Sequence, residues 1–435
     1  MKKFICFTLL FLACSEMKIK WAKKFDVVGQ GNYRINDLCV MHNIYVSGVY
    51  WQTDQNFCCI TAEYNKNGNI EWFTIYERPN LKAAEGKAIL KTEDGIYVLL
   101  QAVDVNNAKD VTLVKYDGLG NIEWERVVEK SPNEIVGKML SDNTGNIYVA
   151  GWTTDAKNSI TIFVAKYRQS GELVWLTTYY NPILCFNHLK FDIMKPEQFV
   201  IGGILDDSQN FFFVKCDSLG RFSGLTKCET TENERILADI KIDEQENVYL
   251  SGASSGNGQE NDYLTVAYDK YDNLLWAERF DGKAHLDDIP KAMAVDESAN
   301  VYVTGSSKNA QGKTEIVTIK YEKNGSKLWI KEFSSGKDKS AEPYFLHPGF
   351  LRCGKYVMPN LYIIGTVGDD VALLKYNTSG GDFWAITYRR DKGINHIPTA
   401  FFSQCLAVQN ISEKESEAII VKYERAEQFG FARWD

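Results

Sequence analysis

Proline is scarce, nine residues in a chain of 435, and past the first few positions no run of basic residues stands out. Lys and Arg number 49 against 57 Asp and Glu, a net charge of −8. Phosphate binding needs a concentrated positive surface, so no nucleic-acid partner is expected. Beyond residue 14 no stretch approaches the roughly 18 consecutive apolar residues of a membrane-spanning helix, which leaves that part expected to be soluble. The five histidines, His42, His188, His285, His347 and His396, are scattered without His-x-x-Glu-His or His-x-His spacing. Loop or packing roles are expected for them rather than metal ligation or catalysis. No Gly-x-Ser-x-Gly elbow, Walker loop or dinucleotide fingerprint occurs in a fitting context. Asp-rich turns such as residues 296–300 lack the alternating oxygen ligands and closing Glu of a calcium loop. No catalytic residue, no cofactor and no metal are therefore expected, and the chain reads as non-enzymatic.

What the chain does have is apolar and aromatic mass: 45% hydrophobic residues, with 23 Tyr, 23 Phe and 10 Trp. That composition with few prolines suits many short strands around aromatic cores. At the amino terminus Lys2 and Lys3 precede an apolar run over residues 4–13, too short to span a bilayer, which reads as a secretion signal. The string Leu10-Phe11-Leu12-Ala13-Cys14 resembles the bacterial lipobox. The resemblance implies lipid on Cys14 and an exported, cell-envelope protein whose only membrane attachment is that lipid. Residues 1–14 are thus assigned to the signal, and 18–435 to one domain. The thiols of Cys39, Cys58, Cys59, Cys185, Cys216, Cys228, Cys353 and Cys405 fall mostly in strand patterns, where Cys behaves as a small hydrophobe. Cys58 and Cys59 point to opposite faces of one strand, and mostly free, buried thiols are expected.

A repeat organises the rest. A Trp follows a Tyr by eight residues at Tyr64 and Trp72, Tyr116 and Trp124, Tyr167 and Trp175, Tyr268 and Trp276, Tyr321 and Trp329, and Tyr376 and Trp384. Cys216 with Gly224, and Tyr423 with Phe431, hold the same slots in degenerate copies. Successive Tyr slots lie 52, 51, 49, 52, 53, 55 and 47 residues apart. Four residues after each Tyr slot stands a turn residue, Gly68, Gly120, Gly171, Gly220, Asp272, Gly325, Gly380 or Glu427. Gly admits the positive φ of a tight reversal, and Asp tolerates it better than most residues. A second landmark, NIYVSG at Tyr45 and NVYVTG at Tyr302 among others, marks an earlier strand, and in GIYVLL Leu100 replaces the Gly. Each repeat therefore holds four antiparallel strands, A to D, the unit of a propeller blade. The fold class is all-β, a β-propeller of eight blades, with seven as the alternative.

The segments VYVTGSS at residues 301–307 and VTIKYEKNGSKLWIKEF at residues 317–333 resemble the bacterial β-propeller repeat known as SBBP. The resemblance implies a propeller and an extracytoplasmic location, and brings no catalytic motif. The Trp-bearing hairpin is also similar to that of pyrroloquinoline-quinone repeats, but the cofactor-binding side chains are not found. Near the amino terminus, residues 18–25 resemble a D strand with no A, B or C strand before it. That strand is expected to complete the last blade and close the ring without a free edge.

Function is expected to be binding or scaffolding of an envelope protein or a glycan, by a monomer. The alternatives are a polysaccharide lyase or hydrolase, or a quinoprotein-like enzyme. Recognition is expected in the B–C and D–A connections, longest at residues 253–262, 306–314 and the insert 334–348. The insert offers Tyr344, Phe345 and His347, while Trp51 and Trp152 are candidates for carbohydrate binding. The acidic residues Glu85, Glu134, Glu234 and Asp288, just before strand A, are expected either as a ring at the channel mouth or as strand caps.

Overall fold

The computed structural model describes residues 17–425, apart from 26–31, 54–55, 129–133, 156–158, 182–188, 195–197, 206–208, 229–233, 256–259, 335–338, 354–355, 382–383, 389–394, 403–404 and 412–415. Among the described residues the regular structure is all β, 32 strands in eight four-stranded antiparallel sheets, which in chain order are blade 1 (Asn32–Tyr76), blade 2 (Leu81–Val127), blade 3 (Glu134–Asn181), blade 4 (Lys190–Lys227), blade 5 (Glu234–Phe280), blade 6 (Asp288–Phe333), blade 7 (Ala341–Tyr388) and blade 8 (Asn395–Arg425 with Met17–Lys24). Blade 6 is representative, with strand A over Asp288–Val295, B over Val301–Lys308, C over Thr314–Tyr321 and D over Lys327–Phe333. The first strand of each blade touches the first strand of the next, from blade 1 round to blade 8 and back. Strand A is therefore innermost and lines a central channel, and the eight blades form a closed propeller.

Burial follows from that stacking. Strands B and C are covered on both faces by neighbouring blades, so they read as near-continuous apolar runs, fully buried over Val301–Ser307 in blade 6. Strand D lies outermost and alternates between exposed and half-buried positions. The buried apolar residues fall into eight clusters, one at each blade junction.

The Tyr/Trp/Gly repeat is an interface device. The D-strand Trp of one blade lies over the C–D turn of the next, and a Cβ built on Gly68, Gly120, Gly171, Gly220, Gly325 or Gly380 comes within 3.0 Å of a ring atom of Trp21, Trp72, Trp124, Trp175, Trp276 or Trp329 respectively. These glycines also have φ between 80° and 87°, so both the backbone and the neighbour require Gly. Trp Nε1 donates to a turn carbonyl in several copies, for example from Trp124 to Gln169 at 3.0 Å and from Trp276 to Lys323 at 3.0 Å. Blade 4 carries Gly224 where others carry Trp, and there the next turn uses Asp272, at φ 67°. Its carboxylate pairs with Lys215 Nζ at 2.5 Å and accepts a hydrogen bond from Thr226 Oγ1 at 2.8 Å. A polar contact thus replaces the aromatic one.

A second compensation explains Leu100. In blades 1, 3, 5, 6 and 7 the landmark Gly pairs with strand A beside a β-bulge, and a Cβ on Gly305 would meet Ile289 O at 2.3 Å. In blade 2 Leu100 pairs with Gly86, so the glycine has moved across the strand pair.

Ring closure is as expected. Met17–Lys24 pairs with Ser416–Arg425 as the fourth strand of blade 8. Trp21 pairs with Lys422 as Trp329 pairs with Lys320, and its Nε1 donates to Lys66 O at 3.1 Å in blade 1. Trp21 therefore fills the slot read from the repeat as Phe431, which lies outside the described residues, as does Cys14. The degenerate fourth copy still forms a blade, with its D strand cut to Thr226–Lys227.

One expectation is corrected. The insert at 334–348 is not a loop from Ala341 onward, because strand A of blade 7 runs Ala341–Cys353 and its partner Tyr356–Val367. The added length lengthens the A–B hairpin at the opposite face.

Candidate functional site

Along strand A of blades 1 to 5 several charges of the channel wall are paired. Arg34 Nη2 and Lys87 Nζ bind Glu85 Oε1 at 2.7 and 2.9 Å, and Asn36 Nδ2 donates to the same oxygen at 2.8 Å. Burial alone would raise Glu85, but Lys87 and Arg34 hold it below the ordinary carboxylate range. Lys138 pairs with Asp192 and Lys241 with Asp239, each at 2.7 Å. Three strand-A carboxylates also accept a backbone N–H from strand A of the next blade: Asp37 from Ile89 at 2.9 Å, Asp192 from Ile242 at 3.2 Å and Asp239 from Met293 at 3.0 Å. The inner strands are sewn together by these bonds.

Of the two readings of the acidic residues, the described side chains favour capping over a ring at the channel mouth. Glu134 is fully buried and its Oε2 accepts from Val111 N at 2.6 Å, a strand-capping role. Asp288 is fully buried at a blade junction, Glu85 is consumed by its cations, and Glu234 is the first residue of strand A in blade 5.

The face bearing the B–C and D–A connections carries a groove of about 800 Å³ between blades 1 and 2. Gln52, Asn56, Phe57 and Cys58 come from the B–C hairpin of blade 1, and Tyr76 to Pro79 with Leu81 and Lys82 from the passage into blade 2. Val105, 63% exposed, closes the far side. The Arg78 guanidinium lies 4.7 Å over the Tyr76 ring and bonds Glu125 Oε2 at 2.5 Å, which fixes it as a rim. Gln52 Nε2 and Cys58 Sγ both donate to Glu77 Oε1, at 3.0 and 3.4 Å. Burial, with Glu77 adding to it, pushes the Cys58 thiol up to about 12, so it stays protonated at neutral pH and is a poor nucleophile. Apolar walls with polar groups at the rim suit binding of an amphipathic ligand.

The residues proposed from sequence scatter around the ring. Trp51 ends strand B of blade 1 beside this groove, half-buried, with the Arg34 guanidinium 5.3 Å from its ring and Phe57 at 6.5 Å. Trp152 is not the exposed ring expected. It is half-buried at the junction of blades 3 and 4, stacked on Phe191 at 5.8 Å and 13°. Tyr344, Phe345 and His347 lie in strand A of blade 7 rather than in a loop. Tyr344 occupies its bulge and is 38% exposed, Phe345 packs toward blade 8, and burial lowers the His347 pKa. The sequence reading missed Glu77, Arg78 and Lys82, whose signal was weak: a Pro, Pro79, in a D–A connection of a proline-poor chain.

No family model matches the chain, and no curated protein matches it. Among solved structures, a polysaccharide lyase of family PL25, an ulvan lyase, is similar at 9% identity and a TM-score of 0.47, over 86% of this chain and 97% of that one. A lignostilbene dioxygenase of Pseudomonas brassicacearum is similar at 11% identity and 0.45, over 86% and 93%. A protein of unknown function from Bacteroides caccae gives 12% and 0.35, over 66% and 93%. At these values no activity transfers from any of them.

Proposed function

We propose that this chain is a non-enzymatic binding propeller of the bacterial cell envelope, of the SBBP type, lipid-anchored through Cys14 and recognising a protein partner. The observation that carries the reading is the groove between blades 1 and 2, where Phe57, Leu81 and Val105 offer apolar surface within a rim of Gln52, Glu77, Arg78 and Lys82. Loops on a rigid closed ring bind without ordering a flexible scaffold, which limits the entropic cost of association.

Glu77 and Lys82 are exposed, so reversing both, Glu77→Lys with Lys82→Glu, leaves the core untouched. The parent, attached to a resin, is expected to capture a defined protein from an envelope extract, and the variant to retain less than about a tenth of it. Equal capture by the folded variant places recognition elsewhere. Binding of glycans instead of protein in a parallel array, or turnover of a polysaccharide, overturns the partner class or the non-enzymatic reading.

A further inference from the structure

Three carboxylates meet where blade 5 joins blade 6, on the face of the B–C and D–A connections. Asp262 begins strand C of blade 5, Asp281 follows its strand D, and Asp288 begins strand A of blade 6. One oxygen from each lies within 4.8 Å of the others. Asp262 and Asp288 are buried, and Asp281 faces solvent. Arg279 binds Asp262 Oδ2 through Nε at 2.8 Å and Nη2 at 2.7 Å, offsetting one of the three charges. His285 Nδ1 meets Asp281 Oδ2 at 2.6 Å from the solvent side, and Lys308 is turned to the neighbouring Asp287 at 2.7 Å.

A cluster of acids alone is common, but here one member has an unmet need. Asp288 is fully buried, Gly282 N donates to its Oδ2, and the Ser307 hydroxyl beside the carboxylate helps hold its pKa down, yet Oδ1 is buried without a well-formed hydrogen bond. Asn261, beside Asp262, has a second such oxygen, Oδ1. Buried acceptors are almost always satisfied, so unsatisfied oxygens beside clustered carboxylates call for a donor or a cation. The connection closes tightly over Asp288: a Cβ on Gly282 would stand 2.9 Å from both its carboxylate oxygens and 2.7 Å from Ser307 Oγ.

We infer that Asp262, Asp281 and Asp288 form a calcium site that clamps blade 5 to blade 6. The donors are all oxygen, with neither His nor Cys among the carboxylates that would hold the ion, which favours a hard cation over zinc. Calcium accepts six to eight oxygens in flexible geometry, which suits carboxylates held by two different blades, whereas magnesium demands near-ideal octahedral geometry and keeps most of its waters. Burial, with the like charges of Asp262 and Asp281 adding to it against the hydrogen bonds of Ser307 and Gly282, pushes Asp288 up to about 6, a cost that a bound cation relieves. Two ligands come from blade 5 and one from blade 6, so the ion would act across the junction.

A proton on Asp288 is the competing account, and calorimetry separates the two. The full chain, stripped with a chelator, is titrated near neutral pH with calcium and, separately, with magnesium and zinc. The site predicts one calcium bound with Kd at or below about 1 mM and a rise of Tm with calcium concentration. Asp281→Asn, at an exposed position, and Asp288→Asn should each weaken calcium binding at least about tenfold. Asp287→Asn, outside the triad, should leave it unchanged. Absence of calcium binding by the parent, binding that persists undiminished in Asp281→Asn, or magnesium or zinc binding as tight as calcium overturns the assignment.

Discussion

Asp37 sits on an inner strand and accepts two backbone N–H groups, its own neighbour Leu38 and Ile89 of the next blade, each at 2.9 Å. Burial outweighs those bonds and pushes its carboxyl up from 3.8 to about 7. A folded pKa above the unfolded one means that the folded state holds the proton more tightly. The resulting stabilisation is full below about pH 4 and is lost as pH rises through about 7. Asp37→Asn, which cannot ionise, should therefore flatten the fall of stability between about pH 4 and 8, by at most about 4 kcal/mol. Denaturant unfolding of parent and variant across that range checks it, and parallel pH profiles would remove Asp37 from the account. Nothing local in the sequence marks this residue, because its partner Ile89 lies 52 positions away.

At the scale of one hairpin, the C–D turn explains why Gly recurs and why one copy dispenses with it. Gly120 has φ 83° and faces Trp72, with a built Cβ 2.5 Å from the ring. Gly120→Ala combines left-handed strain with overpacking and should cost about 2–3 kcal/mol. Asp272→Gly relieves strain while losing the Lys215 and Thr226 partners, so it should cost less, about 1 kcal/mol. Chemical denaturation orders the two, and the reverse order would refute the compensation at the junction of blades 4 and 5. The turn glycines were legible because positive φ is a local demand. The location of the extra length in the 55-residue spacing was not. A period counts residues without saying which of four connections holds them, and the A–B hairpin of blade 7 took them while keeping Tyr344 and Phe345 in strand.

The whole ring depends on eight like junctions, of which the last joins the two ends of the described chain. Met17–Lys24 covers the edge of Ser416–Arg425, and Trp21 reaches across to blade 1. Trp21→Ala removes one junction's aromatic contact and its hydrogen bond, and should cost about 2–3 kcal/mol. Deleting residues 17–24 should cost more and leave an unpaired, β-rich edge prone to self-association. Unfolding curves with light scattering test both. A deletion as stable and as monodisperse as the parent would show that blade 8 closes without this strand.

Blade number, strand order and the closing strand could be read from the chain because each rests on short-range rules: two-residue alternation, a Gly or Asp where φ is positive, and a Trp at a fixed distance from a Tyr. Exposure could not. Trp51 ends strand B of blade 1 against Phe57, while Trp152 lies two residues before the end of strand B of blade 3 and stacks on Phe191 of blade 4, contacts that the order of residues within one repeat does not reveal. The groove unites Gln52 with Arg78 and Val105, and the acidic corner unites Asp262 with Asp288. Residues so far apart along the chain become neighbours only when blades stack side by side, and their burial and charge then depend on surfaces that no single repeat contains.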